Sequence, residues 1–556
     1  MSSITPNIGL ELTPETTNET FKTWRVKMNG EEDSNMTKID AKFGQVDTEL
    51  AALKSFQSKI YGVSFSGSSP TGTRLEDAVD KVAAIGIDDQ VVTNDFDKIY
   101  PWSEIRRCNG YYNANADFVV TAYEGEPEYK TDGSHGNVWV EIPQFYVKEV
   151  IGTGETPTEE KYITPYKTKG YRLPEKFIKL DGTTRAKAYI AAYESGKSSG
   201  VPVSYSGVDV SSPLWSHNSF INACKNIGTG YCAYTMEDFE LISFLFQIEF
   251  ATRNTQSIMQ GVVNLTTTAV NIAEATTNAN YVLVAKDVTT FVAGRPIKLH
   301  TSANSAAGDY HIVSGAVAYY APADAVYDET KSYFTRTGDA EPYTYEAYTY
   351  DETTWETDYA TLFYSTDLKK IMLEEDASVT TTTSTKIYCC PFKSGYTDDV
   401  VASSGAYKAN DGKYPIKYRG IENPWGNCWT IMSGILINEY QPYVLKDAQN
   451  VPTNSSATSI INTMTPLGYT IPTTSSQYAK TMGYDEEYPA YRLTSETGGS
   501  TSTYYCDYYY VASGVRMVMS GGACTLGAHA GLFFFYCNNA PSNSFWNISS
   551  RLSYTG

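Results

Sequence analysis

The chain has 556 residues, 43 Lys and Arg against 63 Asp and Glu, and a net charge of −20 with a pI near 4.8. At about 150 residues per domain this length makes three or four structural units, and the acidic balance argues against a nucleic-acid partner, whose phosphates call for a basic face. Charged residues are only 19% and hydrophobic ones 42%, so most of the chain is expected to fold, and 46 Tyr beside 8 Trp and 21 Phe make binding the leading class, because a polar-tipped ring is favoured at recognition surfaces.

The N-terminal MSSITPNIGLELTPETTNETF lacks the basic region and apolar run of a secretory signal, and no window approaches a membrane span. The nine cysteines (Cys108, Cys224, Cys232, Cys389, Cys390, Cys428, Cys506, Cys524 and Cys537) are odd in number and scattered without CxxC spacing. They read as reduced, mostly buried thiols made in a cytoplasm. His135, His217, His300, His311 and His529 never pair at ligand spacing, so no metal or other cofactor is expected.

Met36, Ile39, Phe43, Val46, Leu50, Leu53 and Ile60 alternate steps of three and four, a heptad stripe broken only by Gln57. In a parallel coiled coil over 34–61, Lys42 faces Asp47 and Glu49 faces Lys54 on the neighbouring helix, so a homo-oligomer is expected. The alternative is a lone amphipathic helix on a globular core. Asp33 or Ser34 caps its start and Gly62 sits beyond its end. Residues 1–33 precede it as a separate segment.

From 62 to 99, SGSSPTGT and the acidic LEDAVDKVAAIGIDD read as a connector. VWVEIPQFYVKEV (138–150) reads as strand, and TMEDFELISFLFQIEFATRN, from Thr235, as a helix apolar on most faces and therefore buried. Residues 263–385 change character: Thr and Ala rise, VLVAKDVTTFVAGRPIKLH reads as paired strands, and YDET occurs at 327 and again at 350. An inserted β-rich module, able to fold on its own, is the simplest account. The core pattern returns over 386–556, with NPWGNCWTIMSGILINE and then a Tyr-, Ser- and Gly-rich stretch.

No GxSxG, Walker loop, dinucleotide fingerprint, HExxH or EF-hand loop is present, so the chain is not read as an enzyme. His135 beside Asp132 reads as a turn residue and not a base, and the adjacent Cys389 and Cys390 are too close for an ordinary disulfide with each other.

Several stretches together resemble the formylglycine-generating-enzyme-like version of the C-type lectin fold found in phage tail and variable receptor-binding proteins: FDKIYPWSEIRRC (96–108), VWVEIPQFY (138–146), YRLPEKFIKLDG (171–182), EDFELISFLFQIEFA (237–251) and NPWGNCW (423–429), the last similar to that fold's GNxW signature. GGACTLGAHAGLFFFYCNNAPSNSFWNISSRLS (521–553) is similar to the C-terminal variable region of diversity-generating retroelement targets of the major tropism determinant type. The resemblance covers about 100–262 and 386–556. It implies an α+β, C-type lectin-like domain interrupted by the β-rich module and preceded by the coiled coil.

In that family, adenine-directed errors rewrite AAY codons, and the targeted positions never hold Lys, Glu, Gln, Met or Trp. Matching the pattern puts variable, ligand-binding positions at Ala523, Thr525, Leu526, His529, Phe534, Tyr536, Asn538, Asn539, Asn543, Phe545 and Asn547, each a permitted residue. Trp546 is then fixed framework, with Trp425 and Trp429. The copper-binding cysteine spacing of the oxidases is missing, and so are the EPN or QPD loops of calcium-dependent lectins, so neither chemistry carries over.

The resemblance implies a receptor-binding adhesin of a phage or prophage tail. It would be trimeric, attached to the baseplate or another tail protein through its N-terminal segment, made in the bacterial cytoplasm and acting on a host-surface protein or glycan from the virion tail, without membrane insertion. The alternative is a tail-borne polysaccharide-degrading enzyme. A neighbouring reverse transcriptase gene with a near-identical template repeat marks the first, and release of reducing sugar from capsule marks the second.

Overall fold

The structure, a computed structural model, describes residues 3–4, 11–12, 42–46, 59–152, 158–266, 269–284, 291–301, 308–317, 325–328, 333–336 and 369–556. Over these the chain is α+β and rich in strands.

Two helices position the rest. Helix α1 (His217–Lys225) starts at Ser216, whose hydroxyl accepts from the Ser219 amide while Ser219 answers the Ser216 amide. Helix α2 (Met236–Phe250) starts at Thr235 with the same reciprocal arrangement to Asp238. Each residue of α2 is buried, as its all-round apolar pattern predicts. Its polar side chains survive burial by being paired. Lys176 Nζ lies 2.7 Å from Asp238, Arg172 pairs with Glu240, the Tyr491 hydroxyl donates to Glu237 at 2.6 Å, and Lys161 donates to Gln247 at 2.7 Å. At the far end Arg419 grips Glu249 through Nε (3.1 Å) and Nη2 (2.5 Å), with Tyr418 and Asn94 donating to the same carboxylate.

The principal sheet runs Thr465–Pro466, Gln441–Val444, Trp429–Asn438, Val515–Gly521, Gly531–Cys537, Tyr508–Val511, Gln477–Met482 and Thr494–Thr497, with Ile548–Ser549 parallel to Trp429–Asn438. Met432, Ile435, Val518, Phe533, Phe535 and Tyr509 on one face share a core with α2. Trp429, Ile431, Met517, Met519 and Phe534 on the other share a second core with α1.

Three four-stranded sheets complete the core among the described residues. The stretch 138–150 forms not one strand but two, Val138–Pro143 and Tyr146–Ile151, which lie in different sheets. Residues 62–99, expected as a connector, are a correction, because they belong to the fold. Tyr61, Val63 and Phe65 alternate with Gly62, Ser64 and Ser66 in a strand (Tyr61–Ser66) between Thr73–Glu76 and Thr158–Thr164. SGSSPTGT is thus the turn of a hairpin, and Gly62 is no helix cap: a Cβ there would meet the Tyr162 ring at 2.6 Å.

Of the expected coiled coil, 42–46 is helical, with Phe43 and Val46 exposed at 63% and 53% on the single chain. Tyr61 already opens the strand, so the helix ends before it, and 34–41 and 47–58 lie outside the described residues.

Between the two halves of the core sits a closed six-stranded barrel in the order Val270–Glu274, Tyr281–Val284, Lys369–Leu373, Asp309–Val317, Pro296–His300 and Lys386–Cys389. Its last strand runs past the expected boundary at 385. Tyr281–Val284 and Pro296–His300 both join it, but they pair with other strands and not with each other. The first YDET begins in the strand Ala325–Asp328, paired with Tyr333–Arg336, and the second lies outside the described residues. The barrel is seated on the core by Val262, Phe392 and Cys524, which share its apolar cluster, and by Lys298, 2.7 Å from Asp209.

Two outcomes follow from these contacts. Arg419→Met strands the buried Glu249 carboxylate and is expected to cost about 3–5 kcal/mol in urea unfolding, whereas a change below 1 kcal/mol on that scale contradicts the pairing. Val270 lies directly opposite Ile387, so replacing 271–386 with a short Gly/Ser linker closes a gap between hydrogen-bonding neighbours. Calorimetry is expected to show one cooperative transition at a lower midpoint. Loss of soluble, cooperatively melting protein makes the barrel part of the core.

Candidate functional site

The strand Gly531–Cys537 decides which aromatic rings face out. Successive side chains of a strand point to opposite faces, and here Phe533 and Phe535 turn towards α2, their rings 5.9 and 5.3 Å from Phe239. Phe534 and Tyr536 turn the other way and meet Trp429 at 4.7 and 4.8 Å. The neighbouring strand repeats the division, with Tyr509 in the core and Tyr508 and Tyr510 beside Phe534 and Tyr536. Tyr510 lies 5.4 Å from Tyr536, and Tyr478, one strand further, lies 4.7 Å from Tyr508 edge to face. His529, in the 3-10 turn Gly527–His529, stacks on Tyr508 at 4.1 Å with an interplanar angle of 11°. Tyr478, Tyr508, Tyr510, Tyr536 and His529, all half-buried, make a continuous aromatic wall, with buried Phe534 and Trp429 as its floor.

The wall is fixed from behind. The Tyr508 hydroxyl donates to the Ser476 carbonyl at 2.7 Å, and Asn538 Nδ2 donates to the Tyr536 hydroxyl at 3.2 Å. Buried Asp507 accepts from the Phe533 amide at 2.7 Å, and a Cβ on Gly531 would strike its carboxylate at 2.1 Å. Gly522, with φ +82°, turns the chain into the loop before the strand, where a Cβ would meet Ala530 at 2.6 Å.

The wall carries no charge. Gly521–Ser550 contains no Asp, Glu, Lys or Arg. Burial lowers the affinity of His529 for its proton, so its imidazole is neutral at pH 7, and burial raises the phenols of Tyr478 and Tyr508. What the wall offers is π-faces, hydroxyls and amides.

The expected variable positions divide. His529, Tyr536 and Asn538 come together in the wall. Leu526 packs half-buried against the cluster beneath it, and Thr525 is half-buried in the same loop. Ala523 and Phe534 are corrections, because both are fully buried and so form the floor, not a reading surface. The half-buried Asn539 and Asn547 hold the frame through their carbonyls, which accept from the amides of Met517 (3.0 Å) and Trp429 (2.8 Å). Asn543 closes a turn by accepting from the Ala540 amide at 2.8 Å, and Phe545 follows it, 48% exposed. Trp425 is buried, with Nε1 donating to the Met259 carbonyl at 3.0 Å, and Trp546 packs half-buried against the barrel cluster. The GNxW-like stretch encloses a buried carboxylate: Glu194 accepts from the side chains of Asn423 and Asn427 and from the Cys428 amide.

Tyr478, Tyr508 and Tyr510 were not among the sequence-based candidates. The signal was the alternation in CDYYYV, where a strand puts Tyr508 and Tyr510 on one face and Tyr509 on the other. His135 lies in an exposed turn with its Nδ1 against the Glu128 carbonyl, while Asp132 accepts from Ser134. All nine cysteines are free and buried. Among the described residues no group of three or more His, Cys, Asp or Glu could hold a metal ion, and no helix is long and apolar enough to cross a membrane.

No family model matches the chain, and no curated protein matches it significantly.

Floor and surface are separable by stability. Phe534→Ala and Trp425→Ala are expected to cost about 3–5 kcal/mol each in urea unfolding, and Phe545→Ser no more than about 0.5 kcal/mol. Equal losses at 534 and 545 contradict this placement.

Proposed function

We propose that this chain is a receptor-binding adhesin of a phage or prophage tail, with a C-type lectin-like domain that recognises a host-surface protein or glycan through the aromatic wall and its bordering loops. The observation that carries the reading is the wall itself: five half-buried aromatic side chains on adjacent strands and one turn, fixed from behind, uncharged, and bordered by positions that match a variable region. Rings held in place lose little conformational entropy on binding, while Asn538 and the Tyr hydroxyls supply donors and acceptors of adaptable geometry. Changing loop residues over a rigid floor alters recognition without touching the core.

The exposed Phe43 and Val46 on the helical segment 42–46 fit a parallel homo-oligomer, read as a trimer by family resemblance. Linked copies of a weak site raise avidity by about 10²- to 10⁴-fold. The N-terminal segment would join the tail, and the site acts by binding alone, without catalysis or a cofactor.

The test is host-cell adsorption of the full chain, with melting temperature measured in parallel. Tyr508→Ser, Tyr510→Ser and Tyr536→Ser are expected to keep a cooperative melt and lose adsorption at least about thirtyfold, the effect of removing an aromatic worth 2 kcal/mol from an interface centre. Because the wall is uncharged, adsorption is expected to change little between low and high salt. Full adsorption by all three variants, or adsorption abolished by salt, places the receptor site elsewhere.

A further inference from the structure

The barrel and the loop that opens the stretch 521–553 meet at two thiols. Cys389 ends the barrel strand Lys386–Cys389, and Cys524 lies in the loop after Val515–Gly521. Both are buried, and both belong to the apolar cluster that fills the barrel and its seat on the core. Consecutive amides hold them: Leu265 N–H donates to the Cys524 carbonyl at 2.7 Å, and Thr266 N–H donates to the Cys389 sulphur. One peptide step therefore separates the donor on one cysteine from the donor on the other. Buried Arg295 also donates to the Cys389 sulphur, and its positive charge acts on Cys524 as well.

A guanidinium and an amide directed at one sulphur favour its thiolate, the form that attacks a disulfide. Burial opposes this and raises both thiols, so the closed fold reacts slowly, and a bond made there is shielded from reductants. Cys390, next in the chain, and Cys428, beside the Asn427 carbonyl that accepts from the Cys524 amide at 3.0 Å, both lie outside the shared cluster.

We propose that Cys389 and Cys524 form a disulfide when the protein meets an oxidising medium, and that this bond staples the barrel to the loop carrying Thr525 and Leu526. The oxidant is a small disulfide such as oxidised glutathione. The Cys524 thiolate attacks one of its sulphurs, forming a mixed disulfide and releasing one thiolate. The Cys389 thiolate then attacks the Cys524 sulphur and releases the second. Two protein thiols are oxidised, one small disulfide is reduced to two small thiols, and the two protons pass to them. Because the two cysteines lie far apart in sequence, the bond restricts the unfolded chain and raises the melting midpoint.

The test uses the full chain in two arms. In one it is unfolded in urea and refolded in a buffer of reduced and oxidised glutathione, and in the other the folded chain is kept with oxidised glutathione at pH 8. Two of the nine free thiols are expected to be lost on refolding, and more slowly in the folded chain, with a mass decrease of about 2 Da and a non-reducing peptide map that joins Cys389 to Cys524. The melting midpoint is expected to rise, and to return once the bond is reduced in urea. Cys390→Ser and Cys428→Ser are expected to leave the link intact, whereas Cys389→Ser and Cys524→Ser keep all their remaining thiols. All nine thiols still free in both arms, or Cys524 joined to any other cysteine, overturns the proposal.

Discussion

The fold depends on a helix that has no solvent-facing side. Helix α2 buries six polar or ionisable side chains together with its apolar residues, and each such group would be costly without a partner. The partners come from remote parts of the chain: Lys161, Lys176 and Arg172 from the first half, Arg419 and Tyr491 from the second. Because they flank the barrel in sequence, the helix is the point at which the two halves are joined. A substitution that removes one partner loses a contact and also leaves its mate buried and unsatisfied.

The same helix makes the principal sheet asymmetric. One face is filled by α2 and its aromatic contacts. The other is covered by α1 only over the strands around Trp429 and Met517, and towards the strands of Tyr508 and Tyr478 the cover stops. Rings on that face therefore stand half in the fold and half in solvent. Their positions are set by Trp429 and Phe534 beneath, so a recognition surface there inherits the rigidity of the core.

Charge is distributed in keeping with this. The chain carries −20 overall, yet the wall and its loops carry no ionised group. An acidic surface of this kind disfavours contact with polyanions, and what the wall presents to solvent is ring faces, hydroxyls and amides.

The sequence by itself determined the elements whose signal is local. The all-round apolar run after Thr235 dictates a buried helix, Thr235 and Asp238 cap it, and the change of composition at 263 marks the barrel. The GLFFFYC and CDYYYV alternations split their rings between two faces. The tertiary structure decided what no periodicity encodes. Whether Phe534 or Phe545 faces solvent depends on Trp429 packing against the first, while the second stays 48% exposed. Whether SGSSPTGT is a linker or a hairpin turn depends on Thr158–Thr164 arriving to pair with Tyr61–Ser66, some ninety residues later. Burial and strand pairing are made by residues distant in the chain, and such contacts leave no spacing in the sequence from which to read them.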